Sequence, residues 1–351
     1  MNTPFFKTSL LSLSMLGMPA LANIALIDTD TTDIDLYGQA KTIVRYHSEP
    51  AANTDAWQWQ DNSSRIGIRA RYKLGDFANI SQWRLRAQYE HGSKLHADES
   101  SDRFFTRQAW VGISNEYGRI YYGQQNSLYK QLEGYEFSHK LGGNAFNDRE
   151  ELSNKRPENT LYMRTQLGDV RLEGQYFLSR DLERRPRIRV GGHDVSLKET
   201  EVDYGYGIAA RLKPITGMQL RAVYQTTEYA LGGIATSTGT TLIYEEPKDK
   251  RWRIGTHIGH VGLENTTRQG SALGVGIAGR YALTDDWRAY TGADWLNGSD
   301  DIEQGSEFSW TAGSDYQVID DLTVYAEYKQ SQFDDLKKDA HEFAVGASYR
   351  F

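Results

Sequence analysis

The 351-residue chain contains no cysteine, which excludes both a disulfide framework and thiolate metal sites. It also lacks any long apolar run beyond its first two dozen residues, so no segment is suited to span a bilayer as a helix, and mean hydropathy is −0.64. Basic residues are too dispersed to form a nucleic-acid patch, and no carboxylate spacing matches an EF-hand. Eight histidines are scattered at 47, 91, 96, 139, 193, 257, 260 and 341, with no Ser/His or Asp/His set marked by spacing. His257 and His260 invite a metal reading, but residues three apart on a strand face opposite sides.

The first 22 residues stand apart. Lys7 precedes an apolar stretch (Leu10, Leu11, Leu13, Met15, Leu16) and then Ala20-Leu21-Ala22, the order of a secretory signal peptide cut before Asn23. Ser9, Ser12 and Ser14 interrupt the stretch and count against a permanent anchor. Residues 1–22 are therefore expected to be a leader, and 23–351 one β-domain. The leader holds one Lys and no acid, so its loss makes the formal charge one more negative than −7.

What is abundant is alternation. In the last strand Phe343, Val345, Ala347, Tyr349 and Phe351 fall on one face, and Glu342, Ala344, Gly346, Ser348 and Arg350 on the other. Trp83, Leu85, Ala87 and Tyr89 oppose Arg84, Arg86, Gln88 and Glu90. Ile66, Ile68 and Ala70 oppose Arg65, Gly67, Arg69 and Arg71. A terminal aromatic with no polar tail suits a wall that closes against lipid, where half of each strand faces a wet lumen and mean hydropathy stays low. An arginine on the lipid face near the midplane costs about 2–4 kcal/mol, so these arginines belong inside.

Short polar turns at 73–78, 114–118, 166–169, 213–217, 246–250, 283–286 and 319–321 carry Gly, Asp, Asn or Pro. They interleave with longer connections at 47–63, 92–102, 124–157, 180–202, 229–239, 262–270, 297–306 and 331–340. Seven short and eight long connections predict an all-β transmembrane antiparallel barrel of about 16 strands, both termini on the short-turn, periplasmic side. The strands at 239–246 and 251–261 are the least sharply patterned. Trp83, Trp252 and Trp287, each just after a short turn, are expected in a periplasmic aromatic girdle.

Several pieces, in order, resemble a known family: Asp35-Leu36-Tyr37-Gly38, Ser64-Arg65-Ile66-Gly67, Thr106-Arg107-Gln108-Ala109-Trp110-Val111-Gly112, Gly118-Arg119-Ile120-Tyr121-Tyr122-Gly123 and Tyr349-Arg350-Phe351. The chain is similar to the trimeric sixteen-stranded general diffusion porins of Gram-negative outer membranes. That resemblance implies a water-filled pore for small hydrophilic solutes and ions, no enzymatic activity and no cofactor. It also implies a homotrimer in contact with outer-membrane lipid and lipopolysaccharide. In the family the third long loop folds into the lumen and sets acids against wall arginines, creating a transverse field. The longest connection here, 124–157, is that third loop. The positions implied are Arg65, Arg107 and Arg156 on the wall and Glu133 and Glu136 on the loop. Gln39 stands at a basic wall position, with Lys41 two residues on along the same face, and Gln124 replaces a further basic position. Tyr135 stands where the family has proline before the loop glutamate, and Ser138-His139-Lys140-Leu141 separates Phe137 from Gly142-Gly143.

An alternative is a porin selective for oligosaccharides, since sugars stack on aromatic rings. Trp57 and Trp59 in the first loop share a face, and Tyr129 and Tyr135 lie in the third. A barrel hydrolase is the third reading. The acidic groups Asp148, Glu150 and Glu151, and Asp294, Asp300, Asp301 and Glu303, would suit Ca²⁺ or a Ca²⁺ bridge to lipopolysaccharide chemically, but such carboxylate-rich loops are more often simply solvated.

Overall fold

The alternation of apolar and polar residues folds into a closed antiparallel β-barrel. The computed structural model describes residues 23–49, 54–77, 80–93, 104–147, 155–182, 184–302, 305–334 and 339–351. The sequence-predicted leader lies outside them. The strands are β1 (Ile24–Asp28), β2 (Thr32–Glu49), β3 (Thr54–Asp61), β4 (Arg65–Phe77), β5 (Ile80–Ser93), β6 (Phe104–Ser114), β7 (Gly118–Gln124), β8 (Thr160–Leu167), β9 (Val170–Phe177) and β10 (Arg180–Asp181). They continue with β11 (Arg187–Val190), β12 (His193–Ser196), β13 (Glu201–Leu212), β14 (Met218–Tyr229), β15 (Ile234–Glu245), β16 (Trp252–Glu264), β17 (Gln269–Ala282), β18 (Trp287–Asp300), β19 (Ser306–Ile319), β20 (Leu322–Phe333) and β21 (Ala340–Arg350).

These make sixteen wall positions. β3 and β4 are one strand interrupted at 62–64, both pairing with β2, and β10 extends β9 alongside β13. Closure is shared. β2 pairs with β21 from Gln39 to His47 and with β1 from Asp33 to Leu36, so the two chain ends lie end to end along one edge. Phe351 exchanges backbone hydrogen bonds with Gly38 and lays its ring over that glycine.

The outward face is the apolar one. Ile66, Ile68, Leu85, Ile208, Ile258 and Ile277 are exposed there, while Glu90, Glu173, Asp294, Asp315 and Glu327 are buried on the inner face. Aromatics gather at both rims. Trp252, Trp287, Tyr281 and Tyr316 stand near the short turns, and Trp295, Phe308 and Trp310 nearer the opposite end. Trp287 donates to the Ser314 hydroxyl at 2.6 Å, the polar contact expected of an interfacial indole.

Three expectations need correction. The connections expected at 229–239 and 262–270 are only 230–233 and 265–268, and the first long connection narrows from 47–63 to 50–53. The indistinct strands at 239–246 and 251–261 are complete strands, β15 and β16. The cause is composition: Thr236-Ser237-Thr238-Gly239-Thr240-Thr241 looks like loop, yet backbone pairing with β14 and β16 runs unbroken through it, and its small inward residues are seated beneath the third connection. The connection at 180–202 is not plain loop either. β11 and β12 form a hairpin whose Ile188, Val190 and Val195 pack with Leu197, Leu263, Leu296 and Ile302 inside the long-loop end of the barrel.

Candidate functional site

The third connection turns into the lumen as a 3-10 segment, Tyr129–Tyr135, followed by a short helix, Asn144–Asn147. Leu128, Leu132 and Tyr135 are essentially unexposed against the inner wall. The wall makes room with glycine. A Cβ at Gly239 would meet Leu132 at 2.7 Å, and one at Gly255 would meet the Tyr135 carbonyl oxygen at 2.1 Å. Burying each of these large side chains contributes roughly 1.5–3 kcal/mol toward seating the loop.

Wall carboxylates then hold the loop backbone. Glu327, 2% exposed, accepts the amides of Lys140 and Leu141 at 3.0 Å each, that of His139, and the Tyr290 hydroxyl at 2.8 Å. Asp294 accepts from the Tyr135 hydroxyl at 2.6 Å and the Asn144 amide at 3.1 Å. Asp315 accepts from Arg288 Nε at 2.6 Å and lies 3.2 Å from His139 Nε2, while the His139 ring stacks on Tyr325 at 4.3 Å. Glu307 accepts from the Asn144 side chain at 2.6 Å, whose oxygen takes Lys329 Nζ at 2.8 Å. Each buried charge is thus met by donors, as burial requires.

Between the seated loop and the opposite wall lies a cavity of about 1230 Å³. Its lining includes Gln39, Lys41, Arg65, Arg107, Glu133, Glu136 and Arg156, so all seven expected throat positions border one space. Their pairings differ from opposed charge rows. Arg107 Nε donates to Glu90 at 2.8 Å, Arg65 Nε lies 3.8 Å from the same carboxylate, and Tyr37 donates to it at 3.0 Å. Lys41 reaches across to the His139 carbonyl at 2.7 Å, and Gln39 donates to Ser348 Oγ at 2.7 Å. Glu133 pairs with Lys130 within the loop. Glu136 accepts the Ser138 amide at 2.6 Å. Burial pushes its carboxyl up to about 7 against the pull of that amide, and the Asp294 carboxylate adds to the rise.

The four aromatic positions are corrected. Trp57 and Trp59 lie in β3, not in a loop, and face outward: Trp57 packs beside Tyr46 and Phe343, and Trp59 donates to Thr42 Oγ1 at 2.5 Å. Period two puts them on the apolar face with Val44. Tyr129 and Tyr135 are enclosed between loop and wall, Tyr135 stacked on His257 at 5.1 Å, so neither offers a ring to solute. His257 and His260 do face opposite ways, the first buried inward and the second exposed. Of the carboxylates considered for Ca²⁺, Asp148, Glu150, Glu151 and Glu303 lie outside the described residues, and Asp294 holds the loop.

Glu327, Asp315 and Glu307 are residues that sequence reasoning missed, and Asp294 was considered only for Ca²⁺, not for holding the loop. Their signal was present as lone carboxylates on the inward face of late strands, but which backbone they hold depends on the loop's path.

A family model described as Gram-negative porin matches residues 10–351. No curated protein matched. Among solved structures, an anion-selective porin from Comamonas acidovorans is similar at 14% identity and TM-score 0.75, covering 91% of this chain and 100% of that one. OmpF of Salmonella typhi, in complex with daunomycin, is similar at 17% identity and TM-score 0.70 (93% and 99%). OmpT, an outer membrane protein of Vibrio cholerae, is similar at 16% identity and TM-score 0.69 (93% and 99%).

Proposed function

This chain belongs to the Gram-negative porin family and is an outer-membrane channel for passive diffusion, and on that premise we propose that its throat favours anions among the small hydrophilic solutes it passes. One observation carries the preference: nine Lys and Arg side chains line the narrowed cavity against five Asp and Glu side chains. Glu90 and Glu133 are already committed to neighbouring cations. In a narrow aqueous passage such an excess raises the local concentration of anions and repels cations. Arg65 and Arg107 supply the wall side of this field, Arg156 adds to it, and Lys41 serves chiefly as a tether to the loop.

The test is the reversal potential of single channels in a KCl gradient, where the two ions have nearly equal mobility. Anion preference is expected, and R65Q/R107Q is expected to move the potential toward cations. A cation-preferring wild-type channel would overturn the reading. The oligosaccharide alternative loses its motive, because the rings that suggested it face outward or are enclosed. The reading assigns the barrel no chemical step. Removal of the leader before Asn23 and assembly as a homotrimer in lipid and lipopolysaccharide belong to the same proposal. The exposed outer aromatics and a trimer form known for Vibrio cholerae OmpT, at 16% identity, support the assembly. Light scattering of the detergent-extracted protein tests it.

A further inference from the structure

Below the loop, on the short-turn side, the inner wall carries a second basic feature separate from the throat. Arg119 on β7, Arg164 on β8, Arg171 on β9, Arg211 on β13 and Arg221 on β14 occupy five adjacent strands. The register sets them directly opposite one another: Arg119 faces Arg164, Arg171 faces Arg211, and Arg211 faces Arg221. Like charges paired across strands, with Cα atoms about 4.5–5.5 Å apart, oppose folding and need a compensating reason.

The protein itself supplies little compensation. On the inner face of these strands, among the described residues, Glu173 is the one carboxylate, and it is taken by Arg221 at 2.5 Å and the Tyr162 hydroxyl at 2.5 Å. Among the described residues the Nε atoms of Arg119, Arg211 and Arg221 have no acceptor. Arg119 is held over the Tyr121 and Tyr162 rings, 5.0 and 5.2 Å from their centroids. Arg171 donates to Gln166 Oε1 at 3.1 Å. Arg221 also touches Gln131 in the 3-10 segment, which places the arc immediately beneath the loop.

We propose that these five arginines form a binding site for a small multivalent oxyanion, of the class of pyrophosphate, at the periplasmic exit of the narrowed passage. The inference rests on the channel reading and names a ligand for a part of the lumen that reading leaves unused. Guanidinium groups bind phosphoryl oxygens through paired N–H donors, and neighbouring strands spaced about 4.8 Å apart present such donors at a separation that linked anionic groups bridge. A monovalent anion meets one guanidinium at a time and passes. A chelated dianion or polyanion stays longer.

Single channels in chloride test this, with pyrophosphate or orthophosphate added to either side at matched ionic strength. Pyrophosphate on the short-turn side is expected to block chloride current at a concentration about tenfold lower than orthophosphate, and R171Q/R211Q to raise the blocking concentration about tenfold, each step corresponding to a tenfold change in affinity. R119Q is a second variant that removes one facing pair while leaving Glu173 its partner. R268Q, on the turn at the far rim, removes one charge outside the site and is expected to leave block unchanged. Pyrophosphate no more potent than orthophosphate, or equal block in R171Q/R211Q and R119Q, would overturn the proposal. A folded barrel with no chloride current at all would instead overturn the channel reading.

Discussion

At the scale of single residues, the field of the proposed throat follows from what each charge already holds. Arg65 and Arg107 share Glu90, so their field in the lumen is that of two cations and one anion. Glu136 is the residue to titrate. Its carboxyl is raised to about 7 in the folded barrel from an ordinary 4.5. It is therefore mostly neutral at pH 6 and mostly charged at pH 8, so the cavity becomes more positive as pH falls. Anion preference is expected to rise between pH 8 and pH 6, and E136Q to reduce that rise, both read from reversal potentials. The linkage has the same sign: a carboxyl raised on folding favours the folded state below 4.5 and loses that contribution as pH rises through 7.

At the scale of elements, the loop is seated by two devices that act together. The apolar 3-10 segment presses on glycines of β15 and β16, and carboxylates of β18 to β20 hold the chain around and beyond it, through the amides of His139, Lys140, Leu141 and Asn144 and the side chains of Tyr135 and His139. Glu327 is the centre of the second device because it accepts three consecutive backbone amides. Glu327→Ala leaves those donors and Tyr290 without an acceptor inside the barrel, at about 1–3 kcal/mol for each unsatisfied group. The wall strands do not depend on this bond. Folding, read as heat-modifiable mobility on a gel, is therefore expected to persist, while single-channel conductance increases and becomes noisy as the loop leaves its seat. Unaltered, quiet conductance would show that the apolar contacts suffice.

At the scale of the whole molecule, stability comes from closure and from the apolar exterior. Among the described residues each of the sixteen wall positions pairs with both of its neighbours over at least part of its length, which satisfies most of the backbone groups that would be costly in lipid. Ile258, 53% exposed in the middle of β16, faces the membrane. Ile258→Arg is expected to destabilise the barrel by about 2–4 kcal/mol in lipid, read from unfolding in urea, whereas the same charge at an inward position costs far less. The barrel carries many arginines, and they are tolerated because the period-two pattern turns them inward.

The sequence by itself determined the leader-like start, the strand periodicity, which face meets lipid, the family resemblance and the identity of the long third connection. All of these are local or repetitive signals, and a strand declares its two faces through its own residues. The positions that the sequence offered for a throat, Arg65, Arg107, Arg156, Gln39, Lys41, Glu133 and Glu136, border one cavity. The sequence misjudged strand ends, because polar runs of small residues that continue backbone pairing look like loops, and it misread Trp57, Trp59, Tyr129 and Tyr135, whose exposure depends on neighbours. Only the tertiary structure decided that Glu327, Asp294 and Asp315 hold the loop, that two arginines share Glu90, and that arginines far apart in sequence stand face to face. The reason is register: hydrogen bonding between strands brings distant residues within a few ångströms, and no period within one strand encodes its partner.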